Sequence, residues 1–143
     1  MIVVDASVAA KWFLFEGDTP HANALLGGTQ KLVAPALIRV EVYAAITRRF
    51  RNGEAPEAEV RQGCRDWLAM IDEGVITLLP SEPDEAQAVE LALRLKHPYQ
   101  DCLYLALAER LRAPLITADP KFIGRTDALY PAVRPLVADA QRH

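Results

Sequence analysis

Short apolar runs alternate with helix-like segments along the chain, and this alternation constrains the fold more than any other feature. Five runs are short and rich in aliphatic residues, as buried strands are: "IVV", "KLVAP", "VITLLP", "PLIT" and "AVRPLV". Strands separated by helices favour a parallel sheet, because parallel neighbours need a long crossover between them. Pro135 restricts the fifth run to a sheet edge. We expect an α/β fold with a central, mostly parallel sheet of four to five strands, flanked by helices on both faces.

Helix signals fill the intervals between these runs. The predicted helices are "ASVAAKWFLF", "DTPHANALLGG" with Asp18 as its cap, residues 36–51 opened by Pro35, residues 55–73, "SEPDEAQAVELALRLK" and "YQDCLYLALAERL". The residues between the fourth and fifth runs are expected to be irregular.

Composition limits the classes of protein that this chain can represent. Its 143 residues fit one domain, predicted to span 1–143, with 51% apolar and 24% charged residues. No apolar run approaches the roughly 20 residues of a membrane helix, and the early aspartate argues against a signal peptide. Cys64 and Cys102 lack metal-like spacing, so we expect reduced thiols in a cytoplasmic protein. A net charge of −3 excludes a uniformly basic nucleic-acid-binding face.

Four carboxylates occupy positions that ordinary surface acids avoid. Asp101 and Glu41 each lie on an otherwise apolar face of a predicted helix. Asp5 ends the first predicted strand, and Asp119 follows the fourth by two residues. Ligands of open parallel sheets bind outside the carboxyl ends of the strands. Asp5 and Asp119 would both lie at that edge if their strands are neighbours, and helices that start at the same edge would bring Glu41 and Asp101 toward them.

Each acid also has a purely structural explanation. Asp5 can cap the next helix, and Asp119 can form a turn before its proline. Glu41 and Asp101 would need ion-pair partners. The arginines seven residues after Glu41 and eleven after Asp101 do not have the usual i,i+4 spacing.

Convergence of the four acids would require a counter-charge. Two unit charges about 5 Å apart repel by about 3 kcal/mol at an effective dielectric near 20. An all-oxygen cluster prefers a hard cation such as Mg²⁺ or Mn²⁺. The histidines show no ligand spacing, and His97, beside Pro98, is expected at the surface. Spacing alone thus predicts a metal-dependent phosphatase or nuclease.

The context of the four acids narrows this choice. "VVDAS", "APALIRVEV", "QDCLYLALAERL" and "LITADPKF" follow one another in this order over nearly the whole chain. In that order and context the chain resembles the PIN-domain family, and within it the VapC toxins of bacterial toxin–antitoxin pairs. The resemblance implies a divalent-metal-dependent endoribonuclease that cleaves RNA phosphodiester bonds with a metal-activated water.

Matched by position, Asp5, Glu41, Asp101 and Asp119 resemble the acidic quartet of the family. The resemblance implies that Asp5 and Asp101 are the most direct ligands of Mg²⁺ or Mn²⁺. Glu41 and Asp119 would bind through water or orient the nucleophile.

Several other residues receive supporting roles. Ser7 and Thr117 match small polar positions that hydrogen-bond within the family's pocket, although Thr117 fits an ordinary strand position equally well. The cations considered for RNA contact are Arg48, Arg49, Arg51 and Lys11. The three arginines also complement the dipole of the helix that they end, and Lys11 can simply be solvated.

The resemblance further implies a homodimer that binds a VapB-type antitoxin, and the lack of a long apolar run predicts no membrane association. A phosphoryl-transfer site of the haloacid-dehalogenase type is disfavoured, because Ser7 stands where a second aspartate is needed. The remaining alternative is a PIN-like module that binds RNA or protein without cleaving it. The intact set of four acids argues against this alternative.

Overall fold

Five parallel strands form one sheet in the computed structural model, which describes residues 1–13, 19–126, 129–130 and 132–136. The strands are β1 (Ile2–Val4), β2 (Leu32–Pro35), β3 (Ile76–Leu79), β4 (Leu115–Thr117) and β5 (Val133–Pro135). Their spatial order is β3-β2-β1-β4-β5, and every neighbouring pair is parallel. The predicted fold class is confirmed, and Pro135 lies in an edge strand as expected.

Helices connect the strands in a way that covers both faces of the sheet. They are α1 (Ala6–Ala9), α2 (Thr19–Leu26), α3 (Ile38–Arg51), α4 (Glu57–Asp72), α5 (Glu85–Leu95), α6 (Tyr99–Leu111) and α7 (Pro120–Thr126). The crossovers from β1 to β3 run in one direction along the sheet, and those from β3 to β5 run in the other. Because such crossovers are right-handed, α1 to α4 cover one face and α5 to α7 cover the other.

The most thoroughly buried helix of the core is α6, which packs against the middle of the sheet. Residues 102–108 of α6 are all buried, which explains why this helix is apolar nearly all round. The helix contacts β1, β2 and β4. Val3 and Val4 of β1 and Leu115 of β4 are fully buried. Within the described part of the chain, no helix has the length and apolar character needed to cross a membrane.

The structure differs from the predicted helices at two places. The long helix begins at Ile38 rather than at residue 36, because Pro35 completes β2 and a turn intervenes. The segment after β4, expected to be irregular, contains α7. Pro120 occupies its first position, where the fixed φ of proline suits a helix start.

The described part of the first predicted helix is not one continuous α-helix. It divides into α1 and a 3-10 turn at Ala10–Trp12. The rest of that prediction, with Leu14 and Phe15, and the predicted cap Asp18 of α2 lie outside the described residues.

Candidate active site

A cleft of about 450 Å³ opens at the carboxyl edge of the sheet, near the ends of β1 and β4. The strand order reverses between these two strands, and such switch points are where α/β sheets bind ligands. The four acids predicted from the sequence all line this cleft: Asp5, Glu41, Asp101 and Asp119. Their predicted convergence is therefore observed.

Chain topology explains how four distant residues meet there. Asp5 directly follows β1, and Asp119 follows β4 by two residues. Glu41 and Asp101 lie in the first turns of α3 and α6, which begin at the same edge of the sheet. The partial positive charge at a helix N-terminus favours a carboxylate in this position.

Asp5 is the most deeply buried of the four acids, with 6% of its surface exposed. Its Oδ1 accepts hydrogen bonds from Ser7 Oγ at 2.5 Å and from the Val8 N–H at 3.2 Å. Asp5 therefore does cap α1, as its structural explanation proposed, while it also faces the cleft. Burial raises the pKa of Asp5 to about 6, although hydrogen bonds from Ser7 and Thr117 oppose the rise.

Glu41 has a partner that the sequence reasoning missed. The buried Tyr104 hydroxyl donates a hydrogen bond to Glu41 Oε1 at 2.6 Å. Burial raises the pKa of Glu41, the nearby charge of Asp101 adds to this, and the Tyr104 hydrogen bond opposes it. The sequence contains one signal for this partner. Tyr104 follows Asp101 by three residues, so both side chains lie on the same face of the helix.

Asp101 also has an unexpected partner, His97. The His97 side chain is only 3% exposed, and its Nε2 lies 2.6 Å from Asp101 Oδ2. The prediction of a surface histidine was wrong, because Lys96 takes a left-handed conformation at the end of α5 and His97 follows this turn into the interior. Burial raises the pKa of Asp101, the hydrogen bond from His97 opposes this rise, and the charge of Asp119 adds to it.

Ser7 and Thr117 connect the ends of β1 and β4. Ser7 Oγ accepts from the Ala118 N–H at 3.0 Å and lies 3.5 Å from Thr117 Oγ1. Thr117 Oγ1 in turn accepts from the Asp119 N–H at 3.1 Å. Asp119 Oδ1 accepts from the Lys121 N–H at 3.0 Å, so its turn-forming role is also real. The fully buried Thr117 thus serves both as a strand residue and as a hydrogen-bond partner at the cleft.

The predicted RNA-contacting cations divide into two groups. Arg48 and Arg49, near the end of α3, line the cleft, and Arg49 pairs with Glu54 at 2.9 Å. Arg51 is exposed on the same helix, whereas Lys11 is half-buried on the 3-10 turn. Neither of these two residues is among those that line the cleft.

The cleft has the donor chemistry of a divalent-cation site. Carboxylate oxygens are the ligands that hard cations prefer. Burial, the largest cause, raises the pKa values of three of these acids, and repulsion between neighbouring carboxylates adds to the rise. One ligand atom each from His97, Asp101 and Asp119 lie within 4.8 Å of one another. The residues present therefore fit a divalent metal ion.

Fold and site together define an α/β domain with an acidic cleft suited to a divalent cation. The chain matches the PIN domain family over residues 2–128. It belongs to this family.

Similar proteins agree with this assignment. The chain is 28% identical to ribonuclease VapC9 of Mycobacterium tuberculosis over 131 residues, which cover 92% of this chain and 95% of the relative. The same values hold for VapC ribonuclease Mb0985 of Mycobacterium bovis.

Three solved structures share the fold. PAE2754 from Pyrobaculum aerophilum has a TM-score of 0.73 at 18% identity, covering 99% of this chain and 94% of its own. VapC20 of Mycobacterium tuberculosis, a toxin that cleaves the sarcin-ricin loop, has a TM-score of 0.72 at 17% identity, and the match covers 94% of this chain and 100% of VapC20. A chain of a toxin–antitoxin complex from Klebsiella pneumoniae has a TM-score of 0.62 at 18% identity, and the match covers 95% of this chain and 98% of that chain.

Proposed function

We propose that this protein is a divalent-metal-dependent endoribonuclease, the toxin of a VapBC-type toxin–antitoxin system. The observation that carries the proposal is the convergence of four carboxylates in one cleft at the switch point of the sheet. The relatives named ribonucleases match nearly the whole chain, which supports the same chemistry here. We further propose that residues 1–143 form a single PIN domain.

The four acids hold the cation, Mg²⁺ or Mn²⁺. Asp5 and Asp101 are the most direct ligands, and Glu41 and Asp119 act through water or orient the nucleophile. When bound, the cation supplies positive charge that lowers the pKa of a coordinated water and balances charge on the phosphate. Ser7 orients Asp5 by donating a hydrogen bond to its carboxylate, and Thr117 holds the backbone of Asp119 after β4 by accepting from its N–H.

RNA must approach a cleft that is itself negatively charged. Arg48 and Arg49 line the cleft, where they contact backbone phosphates and offset this charge. Arg51, on the same helix end, and Lys11, which are not among the lining residues, extend the contact outside the cleft. Hydrolysis by an activated water leaves a 5′-phosphate and a 3′-hydroxyl, so the 2′-hydroxyl need not act as nucleophile.

The remaining proposals concern assembly and location. One chain of the Klebsiella pneumoniae toxin–antitoxin complex shares the fold of this protein, and this similarity supports a cognate VapB-type antitoxin as its partner. We propose that the toxin is a cytoplasmic homodimer.

Cleavage of a structured RNA pool with Mg²⁺, with Mn²⁺ or with EDTA tests the activity. The proteins to compare are wild type, Asp101→Asn and the control Asp72→Asn, which removes an exposed acid at the end of α4. We expect metal-dependent cutting by wild type and by the control, and none by folded Asp101→Asn. Equal cutting by all three would contradict the site. RNA binding without cutting by wild type would favour the non-cleaving module.

A further inference from the structure

Arg125, His97 and Asp101 form a chain of contacts that leads from α7 into the acidic cleft. Arg125 Nη1 donates to His97 Nδ1 at 2.9 Å and to the Lys96 carbonyl oxygen at 2.7 Å. His97 Nε2 lies 2.6 Å from Asp101 Oδ2. A side chain on α7 is thereby connected to a proposed metal ligand on α6.

The direction of these hydrogen bonds follows from the chemistry of arginine. A guanidinium has donors only, so His97 Nδ1 must accept the hydrogen bond from Arg125. The ring proton is then on Nε2, which faces Asp101 and donates to its carboxylate. Arg125 therefore selects the tautomer of His97 that donates to Asp101.

Packing holds the imidazole in this orientation. The ring centroids of His97 and Phe122 lie 4.7 Å apart, and Phe122 is buried. Phe122 and Arg125 are three residues apart on α7 and so lie on one face of the helix. The ring is thus held by apolar packing and by a hydrogen bond from the same helix.

Direct ligation of the cation by His97 is the competing explanation, because its ligand atom lies within 4.8 Å of those of Asp101 and Asp119. Ligation through Nε2 would need a free lone pair on that nitrogen. While Arg125 occupies Nδ1, the Nε2 atom carries the ring proton. The observed geometry therefore favours a hydrogen-bond donor over a ligand.

We infer that His97, held by Arg125, is a positioning residue that orients the Asp101 carboxylate toward the divalent cation. His97 engages one oxygen of Asp101, while the Asp101 side chain still lines the cleft. A carboxylate fixed in this way loses less conformational freedom when it binds an ion. The inference rests on the proposed function, since it requires a cation bound by Asp101.

Mn²⁺ affinity, measured without RNA by electron paramagnetic resonance of the free ion, tests this role. We expect His97→Leu to weaken binding roughly 10–100-fold, the usual effect of losing a hydrogen bond to a metal ligand. His97→Gln should retain most of the affinity, because its amide nitrogen can donate to Asp101 while its oxygen accepts from Arg125. His21→Leu, on α2, is the matched control and should bind as wild type does. Circular dichroism verifies that each variant is folded.

Each outcome bears on the inference separately from the proposed function. Wild-type affinity in folded His97→Leu would overturn the inference, while the loss of binding in Asp101→Asn would still support the metal site. Equal weakening by His97→Leu and His97→Gln would also overturn it, because a donor restored at this position would then fail to restore the affinity. Wild type that binds no Mn²⁺ would overturn both proposals.

The tautomer supplies a second readout that does not depend on activity. In ¹⁵N spectra of the imidazole with saturating Mg²⁺, we expect a protonated Nε2 and an acceptor Nδ1 for His97. Arg125→Met should weaken this preference and reduce Mn²⁺ affinity. A proton on Nδ1 in the wild-type protein would overturn the inference.

Discussion

Among single residues, Asp5 shows how a buried acid in the cleft reduces stability. Its pKa rises from 3.8 to about 6 because burial disfavours the carboxylate. This rise corresponds to about 3 kcal/mol. For a carboxyl whose folded pKa is raised, the contribution to stability is complete below the unfolded pKa and is lost as the pH rises through the folded value. Metal-free protein should therefore lose stability between about pH 4 and pH 7.

Asp5→Asn should stabilise the metal-free protein near neutral pH, by up to about 3 kcal/mol. The amide oxygen of asparagine can still accept from the Val8 N–H, so the cap of α1 is retained. Urea unfolding in EDTA at acidic and neutral pH measures this effect. The gain should shrink toward acidic pH, and a variant less stable than wild type at neutral pH would contradict the prediction.

Tyr104 supports a second prediction at the residue scale. Its hydroxyl donates to Glu41 Oε1 and thereby lowers the pKa of Glu41. Tyr104→Phe removes this donor, so the pKa of Glu41 should rise further. Carboxyl ¹³C titration of metal-free protein measures this shift. Tyr43→Phe, at a half-buried tyrosine on α3, is the control and should leave the Glu41 titration unchanged.

At the scale of elements, α4 stabilises the start of the helix that carries Glu41. Trp67 on α4 is fully buried, and its ring centroid lies 6.0 Å from that of Phe13. Its Nε1 donates to the carbonyl oxygen of Arg39, two residues before Glu41. Trp67 therefore combines apolar packing with a hydrogen bond to the first turn of α3.

Substitutions at Trp67 should separate these two contributions. Trp67→Phe removes the donor to the Arg39 carbonyl oxygen and part of the buried ring, and loss of the donor alone should cost about 1–3 kcal/mol. Trp67→Ala leaves a much larger cavity and should cost about 3–5 kcal/mol. Urea unfolding measures both values, with Leu68→Ala, at a 38% exposed neighbour, as the control of small effect. Equal costs for Leu68→Ala and Trp67→Ala would refute this role of α4.

The same scale shows which features the sequence can predict. Strand runs and helix periodicity located all five strands and the positions of the four acids, because both depend on local patterns. The helix α7 was missed, because its seven residues carry little periodicity and begin at a proline. His97 was missed for a tertiary reason. Its burial depends on the turn at Lys96 and on packing by Phe122, which no local pattern encodes.

For the whole molecule, the order of the strands decides where the site forms. Asp5 and Asp119 are 114 positions apart, yet they meet because β1 and β4 are neighbours. The sequence predicts this meeting only on the condition that the two strands are neighbours, because adjacency of strands is set by global topology. The crossovers then bring the starts of α3 and α6 to the same edge. Binding of the proposed cation would therefore be coupled to the folding of the entire sheet.

This coupling predicts that Mn²⁺ stabilises the global fold. An ion at about 100 times its dissociation constant adds about 2.7 kcal/mol when it binds only the folded state. For a domain of this size, that gain should raise Tm by roughly 5–10 °C. Differential scanning calorimetry with Mn²⁺ or EDTA measures the shift in wild type, Asp101→Asn and the control Asp72→Asn. Folded Asp101→Asn should lose most of the shift, because it lacks a proposed ligand, whereas the control should keep it. An equal shift in all three would place the stabilising ion outside the cleft.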